Sequence, residues 1–247
     1  MSELKFPTER IDLPSKGLPY PVDSPLAKGF VEMKYMTAKE EDILTNTNFI
    51  KQGIVIDKLI QSMVITPINY DDLLVGDKNA LLIASRILGY GKEYEFSLGD
   101  EKINFDLTTL DPKPIDESIF TPGKNDFDFT LPMSKIVVSF KLLNNHDEKN
   151  IDKEIVGMKK LSPQGSFDVT TRLKHTITAI NGNREQSTIR GFVDNMLAKD
   201  VRSLQSHINQ IAPDINMKIS VTRANGDVVE GVNLPIGVNF FWPDAGI

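Results

Sequence analysis

The chain has 247 residues, with 34 acidic and 28 basic side chains, a formal net charge of −6 and no cysteine. That length suits one large domain or two small ones, and it supports a core that hides roughly 70–75% of the unfolded surface. The absence of cysteine excludes disulfides and thiolate metal sites, and the bases are scattered among acids rather than gathered into the face that duplex binding requires. The opening MSELKFPTER has no apolar signal-peptide core, and no apolar run reaches the ~20 residues of a membrane helix. The expectation is a cytoplasmic chain without nucleic-acid, membrane or small-molecule ligands and without a cofactor.

Residues 1–29 read as an extended arm. Pro14, Pro19, Pro21 and Pro25 each fix φ and turn the preceding residue away from helix, while Gly17 and Gly29 supply corners. The arm carries apolar anchors at Leu13, Leu18, Tyr20 and Leu26. They must be buried somewhere, either under a surface loop of the same chain or along a partner.

Residues 30–93 read as a helical unit. Phe30 to Tyr35 alternates as a strand, and Thr37 with Glu40 forms a capping box that opens a helix. Ile56, Leu59, Ile60, Met63 and Val64 mark a second helix, which Pro67 stops. A third starts at Asp71 or Asp72 and ends at Gly89 and Gly91. Residues 94–143 form a β-hairpin region: Tyr94–Leu98 and Ile103–Leu107 pair across Gly99-Asp100, and Phe127–Leu131 precedes a strand over Lys135–Leu143.

Residues 144–247 are helical and close on a hairpin. One helix covers Asn144–Leu161, and a second begins at Ser166 or Asp168 and carries Val169, Leu173, Ile177 and Ile180. Ser187 opens the longest, to about Ile211, with a stripe that fits the core or a coiled-coil seam. Asn225-Gly226 turns the final hairpin, and Phe240, Phe241 and Trp242 crowd the terminus, where they either return to the core or anchor a partner. The fold class is therefore α+β: an N-terminal arm and small helical unit, a β-hairpin middle, and long C-terminal helices closed by a β-hairpin.

No motif carries chemistry. His146, His175 and His207 lie in no HExxH pattern. His175 can share a helix face with Arg172 and Asp168, an arrangement that a solvated helix histidine explains. Gly76-Asp77-Lys78-Asn79 lacks the second glycine and the Ser/Thr of a phosphate loop and falls inside a helical pattern. Glu40-Glu41-Asp42 suits a helix start, and Asp71-Asp72 and Asp126/Asp128 suit a helix start and a strand edge.

Seven blocks, in order, carry a resemblance: LPSKGLPYP, SPLAKGFVEMKYMTAKEEDIL, GDKNALLIASRILGYGKEYE, IDKEI, TTRLKHTI, FVDNMLAKD and PIGVNFFWP. They resemble the baseplate and baseplate-hub assembly proteins of T-even-like contractile-tailed phages. The resemblance implies a non-enzymatic tail protein that assembles or forms part of the hub through contacts with other tail and baseplate proteins, or with copies of itself. It implies work in the host cytoplasm during assembly, with the protein either kept in the virion baseplate or released. Some relatives have a CxxC-type metal-binding hairpin after GYGKEYE; here FSLGDEKINFDL stands in its place, so no metal role carries over. Leu13, Leu18, Tyr20, Leu26, Phe240, Phe241 and Trp242 are the expected partner-binding residues. A metal-free hydrolase acting in tail assembly is the alternative, built on His175 or His207 with nearby carboxylates.

Overall fold

A computed structural model describes residues 7–223, 225–236, 240 and 241. The chain is α+β, with eight α-helices and four small antiparallel sheets among the described residues. Strand β1 (Thr8–Asp12) pairs with β2 (Phe30–Lys34), Ile11 opposite Val31. The proline-rich stretch between them is a compact excursion whose base closes backbone against backbone. Gly17 and Gly29 both have positive φ, at 80° and 76°. A Cβ on Gly17 would meet Ala27 O at 2.4 Å, and one on Gly29 would meet Lys16 O at 2.7 Å. Glycine is required twice over, by conformation and by space.

The expected arm is thus corrected to a folded loop of the body. Leu13, Tyr20 and Leu26 are buried in the same hydrophobic core as the rest of the chain. Prolines stiffen this stretch, but its apolar side chains are satisfied internally, where burial of a leucine or tyrosine stabilises by about 1.5–3 kcal/mol each.

Helices α1 (Ala38–Leu44), α2 (Thr47–Lys51), α3 (Val55–Met63) and α4 (Val75–Tyr90) follow. The Thr37–Glu40 capping box is present, and Asn46 caps α2. Only a single 3-10 turn forms at Tyr70–Asp72, so the third expected helix begins later, at Val75. Leu73 and Leu74 are extended there because Leu74 bridges to Asn144 and the Leu73 carbonyl accepts from Asn145 N–H at 2.8 Å.

Hairpin β3 (Glu93–Leu98) and β4 (Glu101–Asp106) matches its expected position, with Gly99 at φ 65° in the turn. Strands β5 (Phe127–Thr130), β6 (Val137–Phe140) and β7 (Ile177–Ile180) make one antiparallel sheet in that order. Strand β7 corrects the expectation of helix to Ile180. The helix α6 (Asp168–Thr176) stops at Thr176, whose carbonyl accepts from Lys141 N–H, and Ile177 and Ile180 then pair with β6.

Helix α5 (Asn145–Leu161) opens on an Asn144–Asp147 capping box. The expected long helix is two: α7 (Gln186–Asp194) and α8 (Ala198–Ile211). Leu197 is extended between them (φ −64°, ψ 136°). Buried Asp200, in the first turn of α8, accepts the amides of Met133 and Ser134 at 2.8 and 3.0 Å and so docks the β5–β6 turn. The chain ends in β8 (Lys218–Thr222) and β9 (Val228–Asn233). Phe240 is buried against Tyr94 and Phe241, each ring pair 5.1 Å between centroids, and Tyr94 donates to the Pro235 carbonyl at 2.7 Å.

Candidate protein-binding surface

The first turn of α4 organises the N-terminal half. Asp77, fully buried, accepts Ser15 N–H at 2.9 Å on Oδ1, and on Oδ2 it accepts Ser15 Oγ–H and Tyr20 O–H, each at 2.6 Å. The Tyr20 oxygen in turn accepts Leu74 N–H at 2.8 Å. Burial raises the Asp77 carboxyl above its ordinary range, while the donors from Ser15 and Tyr20 pull the other way. Burial and then the Asp77 charge raise Tyr20 well above the usual phenol, so it stays a donor.

The whole GDKN segment is engaged in structure, as its helical setting implied. A Cβ on Gly76 would lie 1.8 Å from Pro213 O, so glycine lets α4 meet the α8–β8 connection. Lys78 pairs with Asp57 at 2.6 Å and donates to Asn145 Oδ1 at 3.0 Å. Asn79 donates to Asp214 at 2.9 Å.

The expected contact residues therefore separate. Leu13, Tyr20, Leu26, Phe240 and Phe241 lie in the protein's own core, and the expectation that they face a partner is corrected on that ground. Leu18 is half-buried and its carbonyl accepts Gly123 N–H at 2.9 Å, which ties the loop to the middle of the chain. Trp242 lies outside the described residues.

The surface that sequence reading missed is the other edge of β1. Glu32, opposite Arg10, turns away from β1: its N–H meets Thr66 Oγ1 at 2.8 Å and its carbonyl accepts Ile65 N–H at 2.8 Å. Leu13 N–H reaches Gly29 O at 2.8 Å. Antiparallel alternation then leaves the N–H and C=O of Thr8, Arg10 and Asp12 pointing outward. Arg10, Ile11 and Asp12 all line an adjoining groove of about 900 Å³. Side chains of successive strand residues alternate between faces, so a groove touching all three runs along the strand's edge. Its floor is α4, through Ala80, Ile83, Ala84 and Ile87, and its far wall includes Leu110 and Ile115. The short TERID run, adjoining a proline-rich stretch, carried too weak an alternation to announce this strand.

A second cleft, about 480 Å³, lies between the start of α4, α6 and α8. Its two basic side chains are each paired with an acid: Arg172 makes a two-pronged pair with Glu148 (2.5 and 3.0 Å), and Lys141 pairs with Asp147 at 2.7 Å; Asp214, also on the lining, accepts from Asn79. His175 does not join it in a reactive cluster; Nε2 lies 2.9 Å from Glu154, which also takes Arg190 at 3.2 Å. His207 stacks on Phe129 at 4.5 Å, where burial lowers its pKa. His146 is exposed. Among the described residues no group of His, Asp and Glu is arranged to hold a metal, and no helix is long and apolar enough to cross a membrane. The chain matches no known family model, no curated protein and no solved structure.

Proposed function

We propose that this protein is a non-enzymatic tail protein of a contractile-tailed phage, assembling the baseplate hub or forming part of it through protein–protein contacts. The reading rests on the resemblance of seven sequence blocks, in order, to that family. The contacts within the fold support it. LPSKGLPYP and GDKNALL, far apart in sequence, are physically one unit through Ser15, Tyr20 and Asp77. That unit holds β1 beside α4 with no second strand paired to its outer edge among the described residues, a surface of the kind that accepts another chain.

Co-expression with hub and wedge proteins, followed by pull-down, tests the reading. A stable complex with at least one hub component is expected; no complex with any tail protein would overturn it. Mass spectrometry of purified virions then separates a structural component, present at fixed copy number, from an assembly factor that leaves.

A further inference from the structure

We propose that the open edge of β1 takes an extended, acidic segment of a partner protein as an added strand. This deepens the reading of the protein as one that works by protein contacts, and rests on it. The edge offers outward backbone groups at Thr8, Arg10 and Asp12, the unit of β-augmentation. Its own charged side chains do not screen it. The Arg10 guanidinium lies 3.9 Å over the Phe30 ring and donates to Asp12 at 3.0 Å, which holds it on the outer face of the β1–β2 pair.

The groove supplies the apolar half of the recognition. Ile11 pairs with buried Val31 and shares its face, toward α4. A strand added to β1 sends alternate side chains to that same face, onto Ile83 and Ile87. Charge selects the rest. Arg10, Lys16, Lys28 and Lys113 rim the groove against a single lining acid among the described residues, Asp12, in a chain whose net charge is −6. Lys16 is offset by Glu117, whereas Lys113 donates to the uncharged carbonyls of Asn209 and Ala212. Lys28 makes no ion pair with any described residue. The local excess of positive charge favours an acidic strand and disfavours a basic one.

The probe is an end-capped, fluorescent octapeptide alternating valine with glutamate, compared with its valine–lysine counterpart on the purified full chain. Anisotropy is expected to show the acidic peptide binding on the order of tenfold tighter, with affinity falling as salt rises. Hydrogen exchange is expected to slow at Thr8, Arg10 and Asp12. Arg10→Pro removes an outward N–H that β2 does not use, so the fold should survive and binding should be lost. Arg10→Ala, the control, should retain most of it, and Lys28→Glu should weaken it several-fold.

Equal affinity for both peptides, no binding of either, protection confined elsewhere, or a folded Arg10→Pro that binds like Arg10→Ala would each overturn the proposal. Concentration-dependent dimerisation with protection of β1 and no peptide binding would also overturn it and assign the edge to a second copy. The two readings fail separately. Peptide binding without any tail-protein complex removes the baseplate reading alone. A tail-protein complex that is indifferent to Arg10→Pro removes the strand-addition proposal alone.

Discussion

Tyr20→Phe removes one oxygen and leaves the ring in place. In the native fold that oxygen donates to Asp77 Oδ2 at 2.6 Å and accepts the Leu74 amide at 2.8 Å. The substitution deletes a hydrogen bond to a carboxylate and strands the Leu74 amide, because Leu74 is buried. Losing a charged hydrogen bond and leaving a buried donor unpaired together cost about 2–4 kcal/mol. The carboxylate also loses one of the donors that oppose its desolvation, so its pKa should rise further. Urea unfolding should show a lower midpoint at unchanged slope, since the surface exposed on unfolding is the same. A loss below about 0.5 kcal/mol would refute the reasoning, because it would mean that neither bond contributes beyond what water supplies. A loss accompanied by a changed slope would mean that the loop had detached in the native state, a different failure.

Gly17→Ala forces a side chain into positive φ and to 2.4 Å from Ala27 O, and should cost about 1–3 kcal/mol by thermal or urea unfolding. Deleting residues 1–29 should abolish cooperative unfolding rather than release a free arm, because Leu13, Tyr20 and Leu26 are core; a truncated chain with near-native stability would refute this. Burial alone would raise Glu40, but donors from Lys34, Ser62 and Thr37 outweigh it and hold the carboxyl at about 2 against an ordinary 4.5. Its contribution, about 3 kcal/mol, is complete above pH 4.5 and lost as pH falls through about 2, so Glu40→Gln should flatten the stability slope across that acid window. Asp200→Ala leaves the Met133 and Ser134 amides without their acceptor and should cost about 2–4 kcal/mol, with hydrogen exchange rising at those two residues.

Elements with a local cause were legible. The Thr37–Glu40 box, the Gly99 turn and the start of α5 depend on residues a few positions apart, and each formed where its pattern placed it. Elements with a distant cause were not. Ile177–Ile180 looks like the last turn of a helix, since four β-branched and small residues fit either period. Only the free edge of β6 made it a strand. The apolar stripe of α7 and α8 runs on across Leu197, so periodicity alone joined two helices that the structure separates.

The candidate surface divides in the same way. Sequence alone determined that residues 11–29 carry rigid corners and apolar side chains needing cover, and that Gly76-Asp77-Lys78-Asn79 falls inside a helical pattern rather than forming a phosphate site. It also carried the block resemblance on which the functional proposal stands. Tertiary structure decided what covers those side chains, because Ser15 and Tyr20 find their acceptor at Asp77, some sixty positions away. Burying that carboxylate is tolerable only with its donors in place. The loop therefore folds inward, its anchors leave the surface, and the edge of β1 is left as the exposed feature beside α4.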